Sequence, residues 1–448
     1  MNPQMFREYD IRGIAGKDMT EDDVYVLGRA IASYLRRRGA VRISVGRDCR
    51  LSSDAYAERI IRALTDTGCQ VTDIGVCPTP LLYFSIPRLK QDGGVMVTAS
   101  HNPADYNGFK ICLGADSVHG ADIQEIRNLA LNGDFVSGTG TCTKTDILSD
   151  YVDHVASSVS IRKPLRIGID AGNGTAGVVA LPLLERLGME IHALYCEMDG
   201  TFPNHEADPT VLKNMKDLID LVKREGLDVG IGFDGDGDRI GVVDEAGRIV
   251  FGDRLMILYA REILERKPGA TFISEVKCSQ VLYDEIERLG GKAVMWKTGH
   301  SLIKKKMKET HAELAGEMSG HMFFADRYFG YDDAVYAACR LLEILSGAGQ
   351  PLSALLADLP QTVNTPEIRV ECPDHLKFDV VRRLTEDFRK QYPVIDIDGA
   401  RVLFDGGWGL VRASNTQPAL VLRFEADNEQ RLSEIRDIVE SRLREAAG

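Results

Sequence analysis

Asp234, Asp236 and Asp238 alternate with glycines directly after an apolar run at 229–233. The glycines allow the loop to fold back sharply, and the three carboxylates would then repel one another unless a cation accepted their oxygens. Mg²⁺ prefers oxygen ligands and commonly acts beside phosphates, and Arg239 is placed to hold an anion next to it. The segment therefore predicts a metal site that works on a phosphate.

An Asp-rich surface turn or a Ca²⁺ loop is the alternative interpretation of this segment. An EF-hand needs a bidentate Glu at loop position 12. Counted from Asp234, that position is Glu245, which lies beyond a predicted strand at 240–244. Mg²⁺ is therefore the favoured ion.

Ser100 and His101 follow a predicted strand at 94–98. Pro103 restricts Asn102 to an extended conformation and shapes a tight, exposed turn. Ser100 is therefore a candidate nucleophile or phosphate carrier, although a Ser–His pair also forms ordinary turn or cap hydrogen bonds. The chain has no G-x-S-x-G elbow at this point, which disfavours acyl transfer.

Two further polar loops carry groups suited to sugar phosphates. Glu317, Ser319 and His321 supply a carboxylate, a hydroxyl and an imidazole, which can hold sugar hydroxyls and move protons. Arg412 opens a loop with the groups of a phosphate-binding site. A capped turn and a plain hairpin loop are the respective alternatives. The other polar residues of the Arg412 loop are Ser414, Asn415 and Thr416.

A glycine motif at 172–177 matches G-x-G-x-x-G and follows a predicted strand at 165–170. That pattern is typical of dinucleotide binding when an acidic residue ends the next strand. Glu190 instead lies within the strand predicted at 189–194. We favour a tight β–α turn and keep a Rossmann-type, dinucleotide-dependent oxidoreductase as the alternative from another class.

The predicted elements indicate an α/β protein. Strands alternate with helices in the first part of the chain, which implies parallel or mixed sheets, whereas the last part predicts a small, partly antiparallel sheet covered by helices. Among the later elements we predict helices at 212–225 and 332–345 and a strand at 365–370. The predicted domains are 1–145, 146–248, 249–360 and 361–448.

Three predicted strands end in the polar loops that carry Ser100, the three aspartates and Glu317. Ligands bind at the carboxyl ends of strands in open α/β sheets, so we expect these loops to meet in one cleft between domains.

The net charge of −13, from 54 Lys and Arg against 67 Asp and Glu, disfavours nucleic acid or an anionic membrane as a partner. The chain has no run of 18 apolar residues, and its start lacks the apolar region of a signal peptide, so the cytoplasm is the expected compartment. Nine cysteines without a C-x-x-C pair indicate reduced thiols. We expect a monomer, with a dimer as the alternative.

Together, the loops at 98–103, 234–239, 316–321 and 412–418 resemble the four signature loops of the α-D-phosphohexomutases, in order and approximate spacing. The likeness covers essentially the whole chain. It implies a four-domain, heart-shaped enzyme in which three related α/β mixed-sheet domains and a smaller C-terminal α+β domain surround one cleft. In this order the domains would carry the phosphoserine, the metal, the sugar-recognition loop and the phosphate-binding loop.

The resemblance also implies a role for each loop. Ser100 would be the phosphoserine, and its phosphate would join Asp234, Asp236 and Asp238 around Mg²⁺. Glu317 and Ser319 would bind sugar hydroxyls, and Arg412, Ser414, Asn415 and Thr416 would hold the nonreacting phosphate. Proton transfer would be shared among Lys110, His321 and His300. The remaining candidate residues are Tyr9, Arg12, His101, Arg239, Lys277, Thr298 and Gly299.

The implied reaction interconverts hexose 1-phosphate and hexose 6-phosphate through phosphoserine, with glucose or mannose 1,6-bisphosphate as intermediate and activator. Met318 and the Arg412 loop resemble those of bacterial enzymes that accept both mannose and glucose phosphates. Phosphoglucosamine mutases typically carry Gln at the position of Met318 and an Arg-Pro-Ser-Gly-Thr-Glu type of loop. A phosphoglucosamine mutase and a noncatalytic sugar-phosphate-binding relative are the alternatives within this likeness.

Overall fold

The computed structural model describes residues 1–415 and 417–447, which form four successive sheets. The first sheet comprises β1 (Ile11–Ile14), β2 (Arg42–Arg47), β3 (Gln70–Val76), β4 (Gly93–Val97), β5 (Tyr106–Leu113), β6 (Asp116–Ser117) and β7 (Thr141–Lys144). The order is β1-β5-β4-β2-β3-β7, with β6 on β5; β4, β2, β3 and β7 run parallel, and β5 is antiparallel to both neighbours. Its helices are α1 (Glu21–Arg37), α2 (Ser53–Asp66), α3 (Thr79–Arg88) and α4 (Ala121–Asn132), after a 3₁₀ turn at Pro3–Met5.

The second sheet repeats this arrangement with five strands. They are β8 (Arg166–Asp170), β9 (Glu190–Leu194), β10 (Val229–Phe233), β11 (Ile240–Asp244) and β12 (Ile249–Val250). The order is β12-β11-β10-β8-β9, parallel from β10 to β9 and antiparallel from β10 to β12. Its helices are α5 (Leu148–Ser158), α6 (Gly177–Arg186) and α7 (Lys216–Glu225).

The third sheet is again mixed. Its strands are β13 (Thr271–Glu275), β14 (Lys292–Trp296), β15 (Leu314–Gly316) and β16 (Met322–Phe324). They lie in the order β14-β13-β15-β16, and only β16 is antiparallel. The helices of this unit are α8 (Gly252–Arg266), α9 (Gln280–Arg288), α10 (His300–Thr310), α11 (Ala334–Ala348) and α12 (Leu352–Leu355).

The last sheet is covered by only two of the described helices, and its strands are antiparallel throughout. Its strands are β17 (Val363–Asn364), β18 (Ile368–Glu371), β19 (Val394–Ile395), β20 (Ala400–Phe404), β21 (Gly407–Ala413) and β22 (Ala419–Ala426), with helices α13 (Asp374–Phe388) and α14 (Glu429–Ala447). The order is β17-β22-β21-β20-β19, and β18 also pairs with β22. Three mixed α/β sheets followed by a C-terminal α+β unit confirm the predicted fold class.

In each of the first three sheets, a predicted site loop lies at the same type of connection between strands. In every case a strand with one parallel neighbour is followed along the chain by its antiparallel partner: β4 by β5, β10 by β11 and β15 by β16. The three connecting turns span 98–105, 234–239 and 317–321. A strand that returns at once beside its partner makes its turn short, and a short turn has few backbone conformations in which to hold its side chains.

One apolar core joins the first three units. It includes Leu81 of α3, Tyr151 of α5, Leu183 of α6, Tyr259 of α8 and Tyr336 of α11. The C-terminal unit has a core of its own between its sheet and α13 and α14. The first three site loops therefore stand on a shared core, and the Arg412 loop stands on a separate one.

Three predicted elements differ from the structure. The strand predicted at 365–370 begins only at Ile368, as β18, because Pro366 has no N–H for the sheet; the preceding β17 ends at Asn364. The helix predicted at 212–225 begins with a 3₁₀ turn at Leu212–Met215. The helix predicted at 332–345 begins at Ala334, because Asp332 pairs with Phe323 and Asp333 caps the helix by accepting from Tyr336 N.

None of the helices in the described ranges combines the length and the apolarity needed to cross a bilayer.

Candidate active site

Ser100 lies in the turn between β4 and β5 with a left-handed backbone (φ 51°). This conformation costs a residue with a side chain about 1–2 kcal/mol. The turn is braced by the buried guanidinium of Arg50, which donates to the carbonyl oxygens of Ser100 (2.8 Å) and Asn102 (2.6 Å), and by Thr98 Oγ1, which accepts from Ser100 N (2.9 Å). Strain that is held in place by its surroundings is typical of functional turns.

The turn at 98–105 (the Ser100 turn) and the turn at 234–239 (the Asp loop) are in direct contact. Ser100 Oγ donates to Asp234 Oδ2 at 2.7 Å and lies 3.2 Å from His101 Nδ1. This approach requires glycine next in the Asp loop, because a Cβ on Gly235 would stand 2.4 Å from the Ser100 carbonyl oxygen. The serine hydroxyl and the carboxylates therefore form one centre.

The carboxylates of Asp234, Asp236 and Asp238 are fully buried, and one oxygen from each lies within 4.8 Å of the others. Lys110 Nζ donates to Asp236 at 2.6 Å and to Asp238 at 2.5 Å. Oδ1 of Asp236 and Oδ1 of Asp238 have no hydrogen-bond partner among the described residues. Buried carboxylate oxygens without partners are costly, and this all-oxygen donor set fits a hard divalent cation such as Mg²⁺.

The pKa values show how strongly the carboxylates interact. Burial and the charges of Asp238 and Asp236 raise the pKa of Asp234 well above its usual value. Burial acts the same way on Asp236, but the charge and hydrogen bond of Lys110 outweigh it and lower that pKa. One ammonium thus offsets only part of the negative charge, and a divalent cation would offset the rest.

His321, from the turn between β15 and β16, closes the centre on one side. Arg239 Nε donates to His321 Nε2 at 3.0 Å, and the backbones of the two residues form an antiparallel bridge. The other ring nitrogen, His321 Nδ1, lies 3.2 Å from Asp332 Oδ2 and 3.6 Å from Asp238 Oδ1. His300 stacks on His321 with ring centroids 5.9 Å apart.

The three histidines of the site differ in basicity. Burial lowers the pKa of His321, but Asp238 and the Asp332 contact outweigh it, so that pKa is raised. The pKa values of His300 and His101 lie well below the usual value because of burial, aided by the charges of Lys304 and Arg239 respectively. Of the three, His321 is thus the one whose pKa is raised.

Arg12, on β1, braces the serine turn from the far edge of its sheet. Its Nη1 donates to the carbonyl oxygen of Ala99 (3.1 Å) and to Asn102 Oδ1 (2.9 Å), and its Nε donates to Asp10 Oδ2 (2.7 Å). The guanidinium thus lies beside Ser100, where it can pair with a phosphate.

Glu317 is the first residue of the turn between β15 and β16. Its Oε1 accepts from Gly299 N at 2.8 Å, and its Oε2 accepts from Ser319 Oγ at 3.2 Å. Tyr9 Oη donates to the Thr298 carbonyl oxygen at 2.8 Å, and a Cβ on Gly299 (φ 129°) would stand 2.5 Å from the Tyr9 ring. Only glycine therefore fits at 299.

The Arg412 loop reaches these groups from the last sheet. Arg412 Nε donates to Asp398 Oδ2 at 2.9 Å, and the same oxygen accepts from Thr298 N at 3.0 Å. Asn415 Nδ2 donates to Tyr9 Oη at 2.5 Å, so the first and last units meet here. Ser414 Oγ accepts from Gln417 N at 3.2 Å, Lys277 Nζ donates to Glu367 Oε1 at 2.5 Å, and Thr416 lies outside the described residues.

The structure gathers the predicted site residues into two neighbouring groups. The expected convergence of the first three loops is confirmed by the Ser100–Asp234 and Arg239–His321 contacts. Tyr9 and His300, with ring centroids 6.1 Å apart, join the two groups. The first group holds Ser100, His101, Lys110, Arg12, Arg239, His300, His321 and the three aspartates. The second holds Tyr9, Lys277, Thr298, Gly299, Glu317, Ser319, Arg412, Ser414 and Asn415.

Several residues that shape the site were missed from the sequence. Glu275 is buried at the end of β13 and accepts from Met318 N (2.9 Å) and Thr298 Oγ1 (2.6 Å). Its position at the end of a strand could have identified Glu275 as a candidate site residue. Asp332, Lys304 and Asp398 stand alone in distant segments, where no spacing marks them.

The glycine motif at 172–177 supports the Asp loop. A Cβ on Gly174 would stand 2.6 Å from the Gly235 carbonyl oxygen, and one on Gly177 would stand 2.4 Å from the Cys196 carbonyl oxygen. Thr175 N also donates to the Gly235 carbonyl oxygen at 3.0 Å. These glycines are needed for close backbone packing, as the interpretation of a tight β–α turn requires.

Family models match nearly the whole chain. They are described as phosphoglucomutase/phosphomannomutase alpha/beta/alpha domain I at residues 3–137, domain II at 149–247, domain III at 251–363 and the C-terminal domain at 367–441. The chain therefore belongs to the phosphoglucomutase/phosphomannomutase family, a part of the phosphohexomutase superfamily.

Similar proteins share most of the chain. A phosphomannomutase/phosphoglucomutase of Pseudomonas aeruginosa is 47% identical over 441 residues, which cover 98% of this chain and 95% of that protein. A phosphoglucomutase of Neisseria gonorrhoeae is 46% identical over 438 residues, covering 97% and 95%. The crystal structure of a phosphoglucomutase/phosphomannomutase family protein from Burkholderia thailandensis has a TM-score of 0.95 at 41% identity, covering 100% of this chain and 98% of the other.

Proposed function

We propose that this chain is a hexose-phosphate mutase that moves a phosphoryl group reversibly between the 1- and 6-oxygens of mannose and glucose phosphates, with Ser100 as the carrier. The family and the names of its relatives support the mutase activity. The single observation that carries the role of Ser100 is its hydroxyl, braced on a strained turn and bonded at 2.7 Å to the first of three buried aspartates.

The chemistry follows from the groups around Ser100. A free sugar hydroxyl attacks the phosphorus of phosphoserine 100, so that a new O–P bond forms and the P–Oγ bond of Ser100 breaks. The hydroxyl proton passes to a basic group of the site, for which Lys110, His321 and His300 are the candidates, and a proton returned to Ser100 Oγ neutralises the leaving serine oxygen. The guanidiniums of Arg12 and Arg239 and the ammonium of Lys110 stabilise the charge on the transferring group.

The metal requirement rests on the carboxylates. Asp234, Asp236 and Asp238, with an oxygen of phosphorylated Ser100, would hold Mg²⁺, which when bound offsets the charge of the phosphoryl group. The two unpaired buried carboxylate oxygens support this assignment.

The product of the first transfer is a 1,6-bisphosphate, and the reaction is completed when the other phosphate returns to Ser100. The second group of residues must therefore accept either phosphate of the sugar. Arg412, Lys277, Ser414 and Asn415, together with Thr416, would hold the nonreacting phosphate, while Glu317 and Ser319 bind sugar hydroxyls. Free glucose or mannose 1,6-bisphosphate would act as activator by phosphorylating Ser100.

The domain limits of 1–145, 146–248, 249–360 and 361–448 also remain a proposal. Their support is the separation of the sheets: β7 ends at Lys144 and β17 begins at Val363, while β12 reaches Val250, two residues past the second limit. All the proposed groups lie in one chain, which supports a monomer acting on small sugar phosphates.

Turnover followed by phosphorus NMR tests the function and the sugar choice together. We expect comparable kcat/KM for glucose 1-phosphate and mannose 1-phosphate in the presence of Mg²⁺ and catalytic bisphosphate. Glucosamine 1-phosphate should be slower by at least roughly tenfold, which is about 1.4 kcal/mol, because Met318 adds no polar side chain and both Glu275 oxygens are already bonded. Preferential turnover of glucosamine 1-phosphate would instead identify a phosphoglucosamine mutase. Binding without turnover would identify a noncatalytic relative.

A further inference from the structure

Two cations of the proposed phosphate site, Arg412 and Lys277, are each paired with a carboxylate. Arg412 Nε donates to Asp398 Oδ2 at 2.9 Å, and Lys277 Nζ donates to Glu367 Oε1 at 2.5 Å. Both cations are buried, so a phosphate that binds them must share them with these carboxylates or displace the carboxylates. The pair of Lys277 with Glu367 has no role in the proposed chemistry.

Lys277 lies near two carboxylates that differ in their freedom to move. Glu275 Oε2 lies 3.4 Å from Lys277 Nζ, and the Glu275 side chain is fully buried. Its oxygens are fixed because they accept from Thr298 Oγ1 at 2.6 Å and from Met318 N at 2.9 Å. Glu367 reaches Lys277 from the last unit, between β17 and β18, and its side chain is 23% exposed. Glu367 is therefore the partner that can leave Lys277.

A second cation lies within reach of a displaced Glu367. Arg369 Nη2 is 3.8 Å from Glu367 Oε2, and the Arg369 side chain is exposed. The charge of Lys277 lowers the pKa of Glu367 to about 2 against the effect of burial, and the charges of Arg369 and Arg412 act in the same direction. Glu367 thus stays ionised and can exchange one cation for another.

Phosphate and Glu367 compete for Lys277 because both are anions. Like charges side by side repel, so Glu367 should move away when a phosphate reaches the ammonium. A buried ammonium that loses its anion is costly, and the return of Glu367 removes this obstacle to the departure of the phosphate. The proposed reaction needs such departures, since the bisphosphate must present each of its phosphates to Ser100 in turn.

We propose that Glu367 is a positioning residue that exchanges with the substrate phosphate at Lys277, and that this exchange weakens the hold on the bisphosphate enough for it to turn. This inference rests on the proposed mutase function. Glu367 makes no contact with the reacting atoms and acts only through Lys277. No covalent bond is formed or broken in the exchange.

Glu367→Gln tests the exchange with little change in shape. Calorimetric titration with glucose 1-phosphate is made on protein whose intact mass shows no phosphoryl group. We expect Kd to fall by about tenfold, between the small effect of an exposed ion pair and the large effect of a buried one. A merely structural link between the third and last units predicts the opposite, because its loss would loosen the Arg412 loop and weaken binding.

Steady-state turnover of glucose 1-phosphate gives the second readout. KM should fall together with Kd in Glu367→Gln. We expect kcat to fall by at least about twofold, because the bisphosphate leaves Lys277 more slowly during each turn. If Glu367→Gln fails to fold, Glu367→Ala serves for both measurements with the same expected directions.

Glu371→Gln is the matched control for the change in charge. Glu371 is an exposed carboxylate at the end of β18, four residues beyond Glu367. This variant removes the same charge from the same strand region but leaves the Lys277 pair intact. Its Kd, KM and kcat should equal those of the wild type.

Three results would overturn the proposal for Glu367. The first is unchanged or weaker binding of glucose 1-phosphate by Glu367→Gln. The second is equally tighter binding by Glu371→Gln, which would show an effect of net charge alone. The third is tighter binding with unchanged kcat, since release from Lys277 would then not matter to turnover. A wild-type protein without mutase turnover would overturn the proposed function instead, because the binding titration does not depend on turnover.

Discussion

At the scale of single residues, the site concentrates negative charge where a phosphoryl group must arrive. A phosphorylated Ser100 would add close to two charges beside three buried carboxylates. Two like charges 4 Å apart repel by about 4 kcal/mol at the effective dielectric typical of proteins. Lys110, Arg12 and Arg239 offset only part of this repulsion, so the carrier and the cation site depend on each other.

Ser100→Ala should reduce mutase turnover by at least about 10⁴-fold, since the variant lacks the hydroxyl that is proposed to carry the phosphoryl group. Sugar phosphate should still bind, because Arg412 and Lys277 are untouched. Steady-state rates with a controlled bisphosphate concentration, together with calorimetric binding of glucose 1-phosphate, measure both effects. Near-normal rates in the purified variant would rule out the carrier role.

Asp236→Asn should weaken Mg²⁺ binding by at least about tenfold and reduce activity without unfolding the protein. Removal of one carboxylate lowers the attraction for the cation and also relieves repulsion among the remaining two. Calorimetric titration with Mg²⁺ is the measurement.

Asp244→Asn serves as the matched control for the metal titration. Asp244 is also a buried carboxylate, at the end of β11, but it bonds to the turn at Ala246 and Arg248 and lies outside the Asp loop. Its substitution should leave the Mg²⁺ affinity unchanged. Equal affinities in wild type and Asp236→Asn would remove Asp236 from the ligand set.

At the scale of elements, three sheets place their functional groups in the same way. A strand with one parallel neighbour ends in a turn, and its antiparallel partner follows directly along the chain. The serine turn and the Asp loop then meet through a backbone contact that tolerates no Cβ, at Gly235 against Ser100, and Gly174 in the loop after β8 packs against Gly235 in the same way. Geometry at the site thus depends on backbones packed closely together.

Gly235→Ala tests this dependence on close packing. The new Cβ would stand 2.4 Å from the Ser100 carbonyl oxygen, so the serine turn and the Asp loop must separate. We expect at least about a tenfold loss of kcat and a loss of about 1–3 kcal/mol of stability. Rates and thermal unfolding are measured on the same preparation.

Gly347→Ala provides the comparison for the glycine test. Gly347 lies in α11, and a Cβ there would meet nothing nearer than 3.5 Å. This change should leave kcat unaltered and add up to about 1 kcal/mol of stability through helix propensity. Full activity in Gly235→Ala would contradict the close-contact account of the site.

At the scale of the whole molecule, the first three units share one core, and Asp333 lies buried where they meet. It accepts from Tyr151 Oη of α5 and from Tyr328 Oη. Burial raises its pKa to about 6 from a usual value near 3.8. The folded protein therefore holds a proton that the unfolded chain has already lost between these two pH values.

The stability contribution of Asp333 should be fully present below about pH 4 and lost as the pH rises through about 6. The shift of roughly two units corresponds to about 3 kcal/mol of unfolding free energy. Chemical denaturation of wild type and Asp333→Asn across pH 4–7 isolates this contribution, because other groups cancel in the difference. A difference in stability that does not change with pH would contradict the raised pKa.

The sequence predicted contiguous features well and isolated ones poorly. The Asp loop, the Ser100 turn and the Glu317 loop each hold several chemical groups within a few residues, and their strand-end positions predicted the convergence that the Ser100–Asp234 and Arg239–His321 contacts confirm. Asp332 and Asp398 reach the site from distant segments that carry no other site residue, so no local sequence pattern predicted their roles. The strand predicted at 365–370 exists but begins only at Ile368, because Pro366 cannot donate to the sheet.

Intact-protein mass spectrometry shows whether Ser100 carries the phosphoryl group. After incubation with glucose 1,6-bisphosphate and Mg²⁺, the wild-type protein should gain the mass of one phosphoryl group, and peptide mapping should place it on Ser100. Excess glucose 6-phosphate should then remove it, and Ser100→Ala should show no gain at any stage. A wild-type protein that turns over glucose 1-phosphate without ever carrying this mass, or that carries it on another residue, would contradict the account.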